Sequence, residues 1–367
     1  MLALYIHIPF CRHKCFYCFF AVAVAQLHHA DRYLKCLMQE ALLYRGAKLK
    51  TIYIGGGTPS LLKRDQLCRL MYIVRSVFDC SAVDEMTIEV NPEDMSRHKA
   101  RLLMRAGITR ISLGVQTFDA HFLKILGRCH TSSQIYRAFS KLRQAGFNNI
   151  SADMIFALPG QTQSHLKTDL RKIIRLEPEH ISFYCLSIEP ASRFYVAGIQ
   201  SAREDRQARQ YNYLCATLEQ RGFNQYEISN FARPGKQSRH NCLYWQGENY
   251  IGLGLSAHSH HDGRRKWNVS RLREYMTRLE NGSDPTEDYE VLSPARRLRE
   301  ALVYGLRMNA GVDLDQLQQR YGVSLSPDLK TRIHDFIRLG FLEPVDNHLR
   351  ATPPGRLLLD ELAVYLI

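Results

Sequence analysis

Cys11, Cys15 and Cys18 fall within one run of eight residues, spaced by four and then by three. Three thiolates this close can wrap a single metal centre without help from elsewhere in the chain, and soft sulfur ligands select zinc or iron-sulfur. Structural zinc takes four protein ligands, and no fourth Cys follows at short spacing, although His13 lies between the first two. Three anchors favour a [4Fe-4S] cluster whose fourth iron stays open to a small molecule, an arrangement suited to catalysis more than to structure. The other seven of the ten cysteines are scattered, as small buried hydrophobes are.

The elements that must position this loop are short, apolar, β-rich runs at 4–8, 51–54, 86–90, 110–115, 150–155 and 181–186. Between them lie amphipathic stretches such as 29–44, 62–78, 133–145 and 165–176. Six strand-helix units predict parallel pairing through right-handed crossovers, hence an α/β fold built on a partial (β/α)6 barrel. Chemistry in such barrels sits at the carboxyl ends of the strands. The Cys group follows the first run, Gly55-Gly56-Gly57-Thr58-Pro59 the second, Glu89 ends the third, Gln116 follows the fourth and Asp153 lies in the fifth.

Beyond residue 200 the pattern changes to a helix at 205–221 and a polar loop at 226–261. From about 293 it reads helix, short helix, turn, helix, then strand-turn-strand near 341–351, the outline of a winged-helix-like module. The expected division is 1–200 for the barrel, 201–292 for the flanking helix and loop, and 293–367 for the C-terminal module.

The 367 residues are 45% hydrophobic and 23% charged, which excludes a disordered or low-complexity chain. No apolar stretch reaches the length of a membrane span. The start lacks the charged and small-residue signature of a secretory signal, so a cytoplasmic protein is expected. Net charge is +13, but residues 290–367 hold ten basic and ten acidic side chains, leaving the whole excess in the first 289. An uncharged winged-helix-like module is a poor DNA binder, because phosphate neutralisation supplies most non-specific affinity. No DNA partner is expected.

The Cys-x3-Cys-x2-Cys spacing at the end of a first barrel strand resembles the radical S-adenosylmethionine (SAM) superfamily. Further segments are similar to the oxygen-independent coproporphyrinogen III oxidase family: Leu4-Tyr5-Ile6-His7-Ile8-Pro9-Phe10-Cys11, Tyr53-Ile54-Gly55-Gly56-Gly57-Thr58-Pro59-Ser60, Glu89-Val90-Asn91-Pro92, Ser112-Leu113-Gly114-Val115-Gln116 and Asp153-Met154-Ile155-Phe156-Ala157-Leu158-Pro159-Gly160. Tyr226-Glu227-Ile228-Ser229-Asn230-Phe231-Ala232 and His240-Asn241-Cys242-Leu243-Tyr244-Trp245 resemble its HemW branch of heme chaperones.

The resemblance implies a [4Fe-4S] cluster on Cys11, Cys15 and Cys18, and SAM contacts from Tyr5, Tyr17, Gly56, Gly57, Thr58, Glu89, Gln116, Arg128 and Asp153. It also implies binding of heme or a related tetrapyrrole and its delivery to an acceptor protein, with an electron donor such as flavodoxin or ferredoxin. Residue physics alone leaves Glu89 free to cap a helix, Arg128 to face solvent and Asp153 to be a satisfied buried polar group. His240 is the heme ligand that the resemblance suggests and His258 a second candidate, while a buried His-Asn pair fixing a loop is the plainer reading.

The decarboxylating oxidases end their cluster motif Cys-x-Cys, whereas this chain has Phe20 there. They also carry a long segment before the cluster, where here ten residues precede Cys11. Both differences point to heme delivery, with coproporphyrinogen III oxidation, or other radical chemistry on a tetrapyrrole, as the alternative. Phe19 stands where the HemW branch has an acidic residue, so Phe19-Phe20 makes the cluster loop more apolar than the resemblance implies.

Overall fold

The computed structural model describes residues 2–367. Six parallel strands form the centre of its main sheet: β1 (Leu2–Ile8), β2 (Leu49–Gly56), β3 (Glu85–Val90), β4 (Arg110–Gln116), β5 (Ile150–Phe156) and β6 (His180–Cys185). They lie side by side in chain order. Each carries buried apolar residues at alternate positions, and Leu4, Ile6, Ile52, Ile88, Ile111, Leu113 and Ile181 are wholly inaccessible.

The connecting helices are α1 (Ala30–Leu42), α2 (Arg64–Val77), α3 (Arg97–Arg105), α4 (Ser132–Gln144) and α5 (Gln163–Ile174), with α6 (Glu204–Glu219) after β6. Their starts are locally encoded. The Thr131 hydroxyl accepts from the Gln134 amide while the Gln134 side chain accepts from the Thr131 amide, a reciprocal cap that satisfies two otherwise orphaned donors.

The sheet does not end at six strands. A short antiparallel pair, Asn224–Gln225 and Asn230–Ala232, extends it beyond β6. At the opposite edge β7 (Tyr250–Leu253) pairs parallel to β1, followed by antiparallel β8 (His258–His261), β9 (Arg264–Asn268) and β10 (Thr286–Val291). The stretch expected to be a polar loop at 226–261 thus supplies sheet strands and the helix α7 (Arg239–Trp245). β8 and β9 read His-Ser-His-His and Arg-Arg-Lys-Trp-Asn. A strand at a partly solvated sheet edge needs no apolar run.

The C-terminal region folds around its own core, which includes Leu298, Leu302, Leu306, Leu329, Ile333, Leu342 and Leu349. It comprises α8 (Pro294–Leu306), α9 (Leu314–Tyr321), α10 (Pro327–Arg338) and the hairpin β11 (Leu342–Val345) and β12 (His348–Ala351). Arg320 clamps it to the barrel side by donating to the carbonyls of Gln246 and Gly247 at 2.8 and 3.0 Å. No helix among the described residues is long and apolar enough to cross a membrane.

Candidate functional site

The loop after β1 carries Cys11, Cys15 and Cys18, all partly exposed. A small apolar cluster of Phe122, Leu126, Ile155, Leu158, Leu186 and Phe194 packs against Phe16 and Tyr17 and pins the loop from below. The Phe16 amide donates to the Leu126 carbonyl at 3.0 Å, and the Phe194 amide to the Phe16 carbonyl at 3.0 Å. The loop is therefore held by side chains on either side of its middle, with its three sulfurs facing a cavity of about 440 Å³ at the carboxyl ends of the strands.

The far wall of that cavity is built by register. Tyr53 stands in β2, Glu89 pairs with Ser112 across β3 and β4, and Asp153 pairs with Ser182 across β5 and β6. Glu89 accepts from the Tyr53 hydroxyl at 3.0 Å and the Gly56 amide at 3.1 Å. Asp153 accepts from the Ser112 hydroxyl at 2.7 Å. Burial, reinforced by the neighbouring Asp153, pushes the Glu89 carboxyl up to about 7, and burial raises Asp153 as well. Two carboxyls held largely away from water, each oriented by donors on neighbouring strands, are suited to a cation or to paired hydroxyls.

The glycine turn after β2 has a steric origin. Gly56 adopts φ +111°, and a Cβ there would lie 2.7 Å from the His7 ring. At Gly57 a Cβ would lie 2.7 Å from the Pro9 carbonyl group. The backbone thus runs against the cluster loop with no room for a side chain. Gln116 takes a left-handed φ of +64° at the end of β4, a strained conformation of the kind that accumulates at ligand sites.

Arg128 reaches in from the fourth unit. Its Nη2 donates to Asn91 Oδ1 at 2.6 Å and to the Gly114 carbonyl at 3.1 Å, and its Nη1 to the Cys15 sulfur at 3.6 Å. Its Nε is buried without a partner. Burial pushes the Cys11 thiol up to about 11 and raises Cys18 too, so metal binding is what would draw off their protons. Among the described residues no three His, Cys, Asp or Glu side chains converge on a point as for one metal ion. Three thiols on one loop lining one cavity are a donor set that fits an iron-sulfur cluster.

The structure brings Tyr17, Gly56, Gly57, Thr58, Glu89, Gln116, Arg128 and Asp153 onto this one cavity with the three cysteines. Tyr5 is the exception. Tyr53 stacks beside it at 6.2 Å and faces the cavity in its place. Tyr5 pairs instead with His7 Nδ1 at 3.0 Å and lines a second cavity of about 600 Å³. Sequence reasoning missed Asn91, which joins Arg128 to the Thr58 hydroxyl at 3.3 Å, and Tyr53 and Ser112, which orient the carboxylates. All three stand in or beside quoted motifs, but their bonds are to other strands, and a linear pattern does not display those.

The Radical SAM superfamily model matches residues 5–173 and the HemN C-terminal domain model residues 292–358. Over 373 aligned residues the chain is 37% identical to the heme chaperone HemW of Bacillus subtilis, covering 99% of this chain and 98% of that one. The chain belongs to the HemW family. HemW of Lactococcus lactis is 36% identical over 358 residues, covering 96% of this chain and 93% of its own length. The solved coproporphyrinogen III oxidase HemN of Escherichia coli superposes with a TM-score of 0.88 at 24% identity. That match covers 100% of this chain and 89% of the oxidase, a likeness of fold.

In this HemW-family chain His240, the heme ligand that the resemblance suggests, has a buried and fully bonded setting. The residue is 1% exposed. Its Nδ1 pairs with the Thr51 hydroxyl at 2.8 Å and its Nε2 with the Tyr244 hydroxyl at 2.9 Å, so both nitrogens are occupied. Its backbone amide donates to Glu85 at 3.0 Å, and burial lowers its pKa to about 3. His240 is the peg that fastens α7 to β2 and β3. His258, by contrast, is exposed in β8 and lines the second cavity.

Proposed function

We propose that this HemW-family chain holds a [4Fe-4S] cluster on Cys11, Cys15 and Cys18, binds SAM in the adjoining cavity, and carries heme for delivery to acceptor hemoproteins. The observation that carries the reading is the alignment with HemW heme chaperones over nearly the whole of both chains. A cluster held by Cys11, Cys15 and Cys18 would supply an electron to the sulfonium of SAM bound beside it. The chain's own residues do the rest. Thr58, 3.5 Å from the Cys11 sulfur, and Arg128 at Cys15 flank the sulfur edge. The glycine turn admits a ligand against the backbone, and Glu89 and Asp153 face its positive charge and ribose hydroxyls.

Division of the chain at about residues 200 and 292 is part of the proposal, the second boundary supported by a separate core that begins at Leu298, as are a cytoplasmic setting and an acidic electron donor. Absence of DNA binding rests on the neutral C-terminal module. The alternative, oxidative decarboxylation of coproporphyrinogen III, is favoured by the likeness of fold alone. Anaerobic incubation of the reconstituted protein with coproporphyrinogen, SAM and a reductant separates the two. The carrier reading predicts no protoporphyrinogen, and its formation at enzymatic rates overturns that reading.

A further inference from the structure

The second cavity, of about 600 Å³, lies in the size range of small-molecule sites. It is bounded by the carboxyl half of β1, by α7, by the β8–β9 hairpin and by α8 and α9 of the C-terminal region. Its walls are aromatic. Tyr244 and Tyr250 meet edge to face at 4.7 Å, and Trp245, Tyr304 and Tyr321 complete a slot of flat rings. Phe19 and Phe20 line both this cavity and the first one. Their rings touch at 4.7 Å and are 47% and 52% exposed. An apolar pair left in water at the end of a metal-binding loop suits a partner surface, and an apolar ligand lying across the two cavities supplies one.

The polar groups here are unfinished. Trp245 Nε1, His260 Nε2 and Arg297 Nε, all on residues lining this cavity, are buried without a hydrogen-bond partner. Each such orphan costs about 1–3 kcal/mol and calls for an occupant or an ion. Strand alternation puts His258 and His260 on the same face of β8, toward the cavity. The His258 ring lies stacked along Trp267, 5.8 Å between centroids at 25°, with none of the side-chain bonds that tie up His240.

Charge adds a direction. Glu300 is already paired with Arg265 and Arg296, and Glu248 with Arg320. Arg297, lying over the Tyr321 ring at 5.1 Å, has no carboxylate partner among the described residues and is the cation left over.

A flat aromatic slot, an imidazole free at one side and an unpaired guanidinium at the rim match an iron porphyrin bearing carboxylates. Resting on the carrier reading above, we propose that the cargo binds in this second cavity. His258 is its axial ligand, Arg297 faces a propionate, and Phe19-Phe20 cover the edge nearest the cluster. These two cavities would then be one bipartite site, with the apolar cluster-loop tail as the shared wall.

The test is absorbance titration of the full-length, cluster-reconstituted protein with hemin and, separately, with metal-free protoporphyrin. H258A should weaken hemin binding at least about tenfold, about 1.4 kcal/mol, and shift the Soret band, with added imidazole restoring both. It should leave metal-free protoporphyrin binding unchanged. R297E should weaken both ligands severalfold. Iron and sulfide content at wild-type level reports that each variant is folded, and because His258 and Arg297 lie at the surface of the slot the two substitutions are independent routes to the same answer. Wild-type hemin affinity and spectrum in H258A would overturn the ligand assignment, and unchanged affinity in both variants would overturn the cavity. If the unaltered protein binds no hemin at all, it is the carrier reading that fails.

Discussion

At the scale of single residues the first cavity joins three thiols to two buried carboxyls. Changing any one of Cys11, Cys15 or Cys18 to Ser removes one of three anchors, and reconstituted iron and sulfide should drop to background in the triple variant. Full metal content there would contradict the ligand set. Glu89 links the site to stability. In the unfolded chain it ionises near its ordinary 4.5, whereas in the fold it holds its proton up to about 7, chiefly through burial. Between those values the unfolded chain releases a proton that the native one keeps, so Glu89 makes the ligand-free protein less stable as pH rises from about 4.5 to about 7, and by a constant amount above. E89Q keeps an acceptor for the Gly56 amide but cannot ionise. It should gain stability at pH 8 relative to pH 5.5, by up to about 2 kcal/mol at 1.36 kcal/mol per pH unit, because about 1.5 units of the window lie above pH 5.5. Urea unfolding at the two pH values measures this, and an identical pH difference in the two proteins would sink the argument.

At the scale of elements, the turn after β2 and the helix α7 carry the sharpest expectations. Gly56→Ala forces a Cβ into the His7 ring at a φ of +111° and should cost about 1–3 kcal/mol together with SAM binding, read by thermal unfolding and equilibrium dialysis. His240→Ala removes the peg between α7 and β2, leaves the Thr51 and Tyr244 hydroxyls unpaired, and should lower stability by about 2–4 kcal/mol as read by urea midpoint. An unchanged midpoint would return His240 to the list of ligands. The six parallel strands were legible because each keeps buried apolar residues at alternate positions, as Leu4, Ile6 and Ile8 do in β1 and Ile111, Leu113 and Val115 in β4. β7 to β9 were not, since Tyr-Ile-Gly-Leu is short and His-Ser-His-His and Arg-Arg-Lys-Trp-Asn carry no period-two alternation of apolar residues. The same reason hid the second cavity. Its residues come from 5–21, 244–265 and 297–321, which meet only through the pairing of β1 with β7 and the docking of α8 and α9.

For the whole molecule, the barrel and the C-terminal module each have a core, and the second cavity exists because they are clamped together. Arg265 ties β9 to Glu300 of α8 while also holding Glu290 at 2.7 Å. The +13 charge lies wholly outside residues 290–367. At the cluster loop Arg12 is paired with Asp94 at 3.1 Å, while Lys14 has no ion pair among the described residues and is the loop cation left to meet a donor. An acidic electron donor should therefore reduce the cluster faster at low ionic strength, and the rate should fall as salt is added because exposed charges are screened beyond a Debye length of about 10 Å at 0.1 M. A salt-independent rate in stopped-flow reduction would detach the charge from that role.

The central claim is that this chain receives and hands on heme. It is tested most directly by loading the cluster-reconstituted protein with hemin, mixing it with an apo-hemoprotein acceptor, and following the Soret band as heme changes hands. The account predicts a stoichiometric shift to the acceptor's spectrum with the porphyrin chemically unchanged. Retention of hemin by the chain, or failure to load it, would contradict the account.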